Sequence, residues 1–488
     1  MQTFPELLRW RARRHPDLVA MSEPGHSITW GQLDASTTVL ANGLRSLGVR
    51  PGDRVAILDK NSVAYLELMA AVAKCGAVSA PVNWRLAPRE VRTVVDDSQA
   101  VLCVCGDDFV ESAGGVRARV MRFAELPRLD GDDPYADTDP DAVVWQLYTS
   151  GTTGIPKGAM LTHRNLYAGW PSILLECPEM REASRALVAM PLYHIGGCGW
   201  AGAALYAGAT LVVVREIVPQ QLLRTIVDEQ VECGFLVPAV LLFLSQLPGI
   251  ENADFSHLRR ILYGASPITP ELLTRCIELF KSEFTQVYGL TETTGAISAL
   301  QHADHHGERL LSCGRPMLGT RVRVVDAEDN DVPTGEVGEL LIGGEQVMLG
   351  YHNRPGDTAA VIRHGWFHSG DAAALDADGF IYIRDRIKDM IVSGGENVYP
   401  IEVESVIAEH PDVADVAVIG VPDHRWGETV KAIVVLRPGT TATEQDIVEF
   451  CRPRLAGFKR PTSVDFVDAI PRNPTGKILK RELREMEI

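Results

Sequence analysis

The run Tyr148-Thr-Ser-Gly-Thr-Thr-Gly-Ile-Pro-Lys-Gly158 gathers four hydroxyl side chains, Thr149, Ser150, Thr152 and Thr153, with Gly151, Gly154 and the cation Lys157. Glycines free backbone N–H groups, and hydroxyls add O–H donors, so a short loop of this kind can wrap phosphate oxygens. Lys157 supplies the positive charge a polyphosphate needs. The run is not a Walker loop, because Lys157 follows Pro156 and precedes Gly158 rather than Ser or Thr. A Ser/Thr/Gly-rich surface turn is the other reading of the same composition. Further along stand Met190-Pro-Leu-Tyr-His194, Tyr263-Gly-Ala-Ser266, Tyr288-Gly-Leu-Thr-Glu292 and Trp366-Phe-His-Ser-Gly-Asp371. Arg386 with Ser393-Gly-Gly-Glu-Asn397, and finally Pro471-Arg-Asn-Pro-Thr-Gly-Lys477, complete the series.

The elements that must position these residues alternate apolar strands with helical stretches, the pattern of an α/β domain. Val55–Leu58 and Val78–Val82 read as buried strands on either side of a helix over Ser62–Lys74. Val143–Leu147 reads as a strand running straight into the glycine-rich loop, after an exposed Asp- and Pro-rich connector over Pro127–Pro140. Beyond about residue 316 the texture turns to strands and turns: Val322–Val325, Gly338–Ile342 and Phe380–Arg384. The last hundred residues suggest a small α+β domain, with helices over Pro400–Glu409 and Glu444–Leu455 and strands over Val413–Val421 and Thr429–Leu436. The expectation is therefore a large, multi-layer N-terminal α/β domain with a β-rich final section, 1–386, and a small mobile α+β domain, 387–488.

These signatures, in this order from residue 148 to residue 477, resemble those of the acyl-adenylate-forming superfamily: acyl-CoA synthetases, peptide-synthetase adenylation domains and luciferases. The resemblance implies ATP, Mg²⁺ and coenzyme A, and a carboxylic acid activated as acyl-AMP with release of pyrophosphate before transfer to a thiol. Attack of a carboxylate on the α-phosphorus brings two anions together, so the site must supply compensating charge. By resemblance Glu292 holds Mg²⁺ and Thr291 meets the phosphates, as does the loop Thr149, Ser150, Gly151, Thr152, Thr153, Gly154 and Lys157. Gly264, Ala265, Ser266, Tyr288 and Gly289 border the nucleotide, while Asp371 and Arg386 hold the ribose. Lys477 resembles the mobile lysine that meets carboxylate and α-phosphate oxygens, and Lys388 stands at the hinge, where many relatives have Asp. Ser393, Gly394 and Gly395 resemble the coenzyme A-side loop. His194 is placed at the carboxylate end of the acyl pocket, as a positioning residue rather than a general base. Gly196, Gly197 and Gly199 are expected to leave room for an extended chain, which favours a medium- or long-chain fatty acid over an aromatic carboxylate. Loading of a carrier protein, luciferase chemistry and a non-enzymatic acyl-nucleotide sensor are the alternatives. The intact Lys477 and Glu292 weigh against the sensor.

The chain has 488 residues, more than one core usually supports, and a net charge of −17 from 64 acidic against 47 basic residues. That balance argues against nucleic acid or an anionic membrane as the main partner. The longest apolar run, Pro238–Leu247, is about half of the ~20 residues a membrane span needs. Scattered cysteines, nine in all, suggest reduced thiols in the cytoplasm, with Cys103 and Cys105 read as strand residues facing opposite ways. Arg9, Arg11, Arg13 and Arg14 read as the polar face of a first helix, and a homodimer stays open. Gly197-Cys-Gly-Trp-Ala-Gly202 imitates a dinucleotide fingerprint but falls inside the expected acyl-pocket region, and His302, Asp304, His305 and His306 read as a solvated loop rather than a metal site.

Overall fold

In the computed structural model the apolar runs become the strands of two large sheets and the segments between them become helices. The structure describes residues 2–134, 139–149, 156–393, 396–472 and 478–486. The chain packs as two units, Met1–Arg321 with Ile342–Phe367, and Val322–Leu341 with His368–Ile488.

Among the described residues of the first unit, one sheet has nine strands. Its order is Arg315–Pro316, Gly295–Leu300, Glu283–Leu290, Arg260–Gly264, Cys233–Leu236, Arg185–Val188, Thr210–Val213, Val19–Glu23 and His26–Thr29. The strands from Glu283–Leu290 through to Val19–Glu23 pair in parallel. The inner strands Thr210–Val213, Cys233–Leu236 and Arg260–Gly264 are buried at every position, as a parallel sheet covered on both faces requires. A sheet of seven runs Gly350–Tyr351, Lys157–Thr162, Val143–Thr149, Val78–Pro81, Arg54–Leu58, Ala100–Cys105 and Arg119–Arg122. The helix Val63–Lys74 starts where the Ser62 hydroxyl accepts from Tyr65 N–H. It is buried along nearly its whole length; even the Lys74 ammonium is buried, held by Asp34 at 2.6 Å and the Thr38 hydroxyl at 2.8 Å.

Two sequence expectations change here. Residues two apart in a strand share a face, and Cys103 and Cys105 both enter one core cluster with Ala56, Leu58 and Val94 instead of facing opposite ways. In the helix Phe4–Arg14, Arg11 is buried rather than on the polar face, and its guanidinium pairs with Glu182 at 3.1 Å. The described part of the Asp/Pro-rich connector is tied down: Leu129 N–H donates to Val39 O at 3.0 Å, and Asp133 meets Arg9 at 2.7 Å.

In the second unit Asp371 and Arg386 face each other across the antiparallel pair Trp366–Leu375 and Ile381–Arg386. A further sheet runs Glu396–Val398, Ile391–Ser393, Gly427–Leu436 and Val413–Asp423, with Ser463–Phe466 parallel to Gly427–Leu436. Period-two alternation along Val413–Asp423 sends Val416 and Val418 into a core with Val403 and Ile407 of the helix Pro400–Ala408. Ala417 and Ile419 go to the opposite face with Ile470 and Leu483.

Candidate active site

Parallel strands of the nine-stranded sheet deliver His194, the residues expected to border the nucleotide, and Glu292 at their carboxyl ends, where open α/β sheets bind ligands. Arg185–Val188 leads to Met190–His194, Arg260–Gly264 to Ala265 and Ser266, and Glu283–Leu290 to Thr291 and Glu292. Gly264 is glycine because a Cβ there would lie 2.1 Å from the Val287 carbonyl oxygen. Ala265 follows at φ +69°, a left-handed conformation uncommon for a side chain and the kind of local strain that collects at binding sites. At Gly289 a Cβ would come within 1.9 Å of Gly295 O, at the point where the register with Gly295–Leu300 shifts.

Glu292 lies in a single 3-10 turn, Thr291–Thr293. The Thr293 hydroxyl accepts from Leu290 N–H at 3.0 Å, and the Glu292 carbonyl accepts from Met348 N–H at 2.8 Å, so the backbone is fixed on both sides. The Glu292 carboxylate is buried, and its Oε1 accepts a 2.7 Å hydrogen bond from the Tyr351 hydroxyl. No cationic side chain among the described residues neutralises it. A buried carboxylate with hard oxygen donors and no ion-pair partner fits Mg²⁺.

The same Tyr351 ring lies under the Lys157 ammonium at 5.3 Å from its centroid, and Lys157 is ion-paired with Asp357 at 2.7 Å. Tyr351 thus joins the expected phosphate lysine to the expected metal carboxylate. Thr149 ends its strand opposite Lys157, and Tyr148 opposite Gly158. The Tyr148 hydroxyl donates to Asp97 at 2.9 Å, and Arg354 donates to the other oxygen of that carboxylate at 2.9 Å, bracing the base of the loop. Burial pushes the Tyr148 phenol well above its usual range, so it stays a neutral donor. Ser150, Gly151, Thr152, Thr153 and Gly154 lie outside the described residues.

His194 is the N-cap of the helix Ile195–Ala207. Its Nε2 is buried without a hydrogen-bond partner among the described residues, and its ring lies 4.5 Å from that of Tyr193, whose hydroxyl accepts from Arg85 at 3.1 Å. Burial, then the Arg85 charge, brings the imidazole down to about 4. A neutral ring can offer one bond to a ligand oxygen and does not act as a cation at neutral pH. The glycines that follow differ among themselves. A Cβ on Gly197 would lie 2.1 Å from the Pro191 carbonyl oxygen, so its missing side chain accommodates backbone. One on Gly202 would strike the Trp170 ring at 2.5 Å, so this glycine serves helix packing and not a dinucleotide turn. Gly196 and Gly199 instead face the Phe235 and Ile195 side chains, at 3.0 and 3.1 Å.

In the second unit Asp371 is buried, and its carboxylate pairs with Arg386 at 2.8 Å, whose guanidinium also donates to Ser369 O at 2.9 Å. The turn before Asp371 is held by Glu339, which accepts from Gly370 N–H at 3.0 Å and contacts His368 at 2.9 Å. Lys388 falls in the short turn Ile387–Asp389, and Ser393 is buried opposite Gly427. Gly394, Gly395 and Lys477 lie outside the described residues. Tyr351 and Glu339 carried no sequence signal, since neither belongs to a stretch whose residue types announce chemistry. Two histidines of the 302–306 stretch are structural: His302 accepts from Phe284 N–H at 3.2 Å, and His305 meets the Tyr263 hydroxyl at 2.9 Å, while His306 is exposed.

Comparison with known proteins agrees with this geometry. The profile of the family "AMP-binding enzyme" matches residues 8–352, and that of the "AMP-binding enzyme C-terminal domain" matches residues 402–477. The chain is 40% identical to a fatty acid–[acyl-carrier-protein] ligase, ScoC, of Streptomyces coeruleorubidus, over 99% of this chain and 96% of that one. It is 41% identical to a feruloyl-CoA synthase of Amycolatopsis sp, over 97% of each. Among solved structures, the o-succinylbenzoate CoA synthetase of Bacillus subtilis in complex with its acyl-adenylate superposes with a TM-score of 0.90 at 30% identity, covering 100% of this chain and 99% of that one. Fold and site together define an adenylate-forming enzyme. The chain belongs to the AMP-binding enzyme family of the acyl-adenylate-forming superfamily, in its acyl-CoA synthetase branch, as an AMP-forming acid–thiol ligase.

Proposed function

We propose that the protein converts a medium- or long-chain fatty acid, ATP and coenzyme A into acyl-CoA, AMP and pyrophosphate through an acyl-adenylate. The observation that carries the adenylation chemistry is the Glu292–Tyr351–Lys157 cluster, a metal-suited carboxylate and a phosphate-suited cation joined by one tyrosine. Mg²⁺ bound at Glu292 would neutralise phosphate charge and polarise the α-phosphate. Lys157 exchanges Asp357 for phosphate oxygen, and Thr149, Thr291 and the loop 150–154 add donors. Gly264, Ala265, Ser266, Tyr288 and Gly289 border the nucleotide base, with Asp371 accepting from the ribose hydroxyls and Arg386 holding Asp371 in place. His194 offers its unshared nitrogen to the substrate carboxylate, and the acyl chain runs on past Gly196 and Gly199, where the Phe235 and Ile195 side chains must give way to admit it. Lys477 supplies charge where carboxylate and α-phosphate meet. Thiol attack then needs access to the same carbonyl, so the chain from residue 387 onward, read as a separate mobile domain, turns about Lys388 and brings Ser393, Gly394 and Gly395 to the coenzyme A side. Nine free, buried cysteines are compatible with a reducing, cytoplasmic setting, and no described helix is long and apolar enough to cross a membrane.

A second reading has specific support. Two relatives of nearly equal identity split both the acid and the acceptor: one is a fatty acid–carrier-protein ligase and the other a feruloyl-CoA synthase. The test is a panel of straight-chain and aromatic acids offered with coenzyme A or with a phosphopantetheinylated acyl carrier protein. Thioester on coenzyme A, best with acids of eight or more carbons, is the expected result. Turnover confined to the carrier protein, or to cinnamate-like acids, overturns the acceptor or the acid assignment respectively.

A further inference from the structure

Lys480 is mostly buried, with 11% of its side chain exposed, and its ammonium faces two carboxylates: Glu404 at 3.0 Å and Asp385 at 3.5 Å. The two anions have different addresses. Glu404 sits in the helix Pro400–Ala408, where its Oε1 also accepts from Val418 N–H at 2.8 Å. Asp385 belongs to the strand Ile381–Arg386, immediately before the Arg386 that pairs with Asp371 and three residues before Lys388. Asp385 makes a second bond past that point, accepting from Ile401 N–H at 3.2 Å. If the chain turns at Lys388, Lys480 and Glu404 travel together, whereas both Asp385 contacts break.

Lys480 also anchors the segment that carries Lys477. Arg472 and Ile478 bridge, and Leu479 N–H donates to Pro471 O at 2.9 Å, so the two ends of residues 473–477 are drawn together. Leu483, one turn on, is buried against Ile419, Ile433 and Ile470. Three residues span at most about 11 Å of chain, so a Lys480 fixed on Asp385 limits how far Lys477 can travel from it. Burial alone would lower the Lys480 pKa, but Glu404 and then Asp385 outweigh it, and the ammonium stays charged.

We propose that Lys480 is a positioning residue for adenylation, its ammonium carried by Glu404 and latched across the hinge onto Asp385, so that the segment bearing Lys477 is held in place for the first half-reaction and released for the second. The inference rests on the roles proposed above for Lys477 and Lys388. It goes beyond them in naming the group that holds the adenylation arrangement.

The experiment times both half-reactions in the full-length enzyme: pyrophosphate release in a single turnover with acid and ATP, and thioester formation from supplied acyl-AMP and coenzyme A. Asp385→Asn keeps the shape and a carbonyl acceptor but removes the charge Lys480 meets. Adenylation should slow about tenfold or more, while thioester formation stays within about twofold of wild type or rises. Lys480→Met should show the same split, and Lys480→Arg, which keeps the charge, should restore most of the adenylation rate. Should Lys480→Met fail to fold, Asp385→Asn decides alone. Lys477→Ala serves as the control. If it fails to lose adenylation selectively, the roles proposed for the two half-reactions fall. If it does so while Asp385→Asn slows both steps equally, or neither, the latch is refuted and the roles survive.

Discussion

Tyr351→Phe removes one oxygen and leaves the ring. In the wild-type protein that oxygen donates a 2.7 Å bond to Glu292 Oε1, while the ring face below Lys157 is common to both residues. The residue is buried and so is its partner, so no water replaces the lost donor without cost. A hydrogen bond to a charged group contributes about 1.5–3 kcal/mol, and leaving a buried acceptor unmet costs a similar amount. The Glu292 backbone does not move, because Met348 N–H and the Thr293 hydroxyl hold its turn independently. The loss therefore falls on the carboxylate, which becomes free to leave the direction in which it meets a cation. At about 1.4 kcal/mol per decade of rate, adenylation should drop roughly 10- to 100-fold at low Mg²⁺. The Mg²⁺ concentration for half-maximal rate should rise with it. Pyrophosphate release measured across a Mg²⁺ titration, with far-ultraviolet dichroism to confirm folding, reads both effects. A folded Tyr351→Phe enzyme with unchanged rate and unchanged Mg²⁺ dependence would refute the claim that Tyr351 orients a metal-binding Glu292.

Two other predictions follow from local geometry. Gly197→Ala should lower stability by about 3 kcal/mol or more, since its methyl would collide with the Pro191 carbonyl; if its melting temperature matches wild type and only chain-length preference shifts, Gly197 faces the acyl tail after all. His163, His194 and His305 are all brought down to about 4, chiefly by burial, against about 6.5 when unfolded. The unfolded chain therefore binds protons first as pH falls, so the stability linked to these groups is full above about pH 6.5 and is lost toward pH 4, on the order of 3 kcal/mol for each. Urea midpoints should fall over that interval, and His163→Asn, which keeps an acceptor for Phe4 N–H but cannot charge, should flatten the slope; identical slopes would refute the assignment to His163.

The reaction class was legible because its residues travel in runs. Loop, turn and strand-end chemistry is local, so Tyr288–Glu292 or Trp366–Asp371 can be recognised before anything is folded. What escaped notice was held across distance. Tyr351 reaches Glu292 from 59 positions away, Lys480 reaches Asp385 from the far end of the second unit, and a lone tyrosine or lysine has no spacing to mark it. The glycines after His194 show the converse difficulty. A missing side chain makes room either for a ligand or for backbone, and only the carbonyl 2.1 Å from the would-be Cβ of Gly197 distinguishes the two. Arg11 went astray because charge alone suggested the polar face, while Glu182 neutralises it on the buried side. The Cys103–Cys105 reading failed on strand periodicity itself, since residues two apart point the same way.

The central claim is that the substrate carboxylate becomes bonded to the α-phosphorus before the thiol arrives, and isotope transfer tests it most directly. The fatty acid is labelled with ¹⁸O in both carboxylate oxygens and turned over with ATP, Mg²⁺ and coenzyme A, and the nucleotide product is analysed by mass spectrometry. One carboxylate oxygen bonds to the α-phosphorus and stays with it when the thiol displaces AMP, so each AMP should carry one ¹⁸O and pyrophosphate none. Label in inorganic phosphate beside ADP, or AMP without label, would contradict the acyl-adenylate.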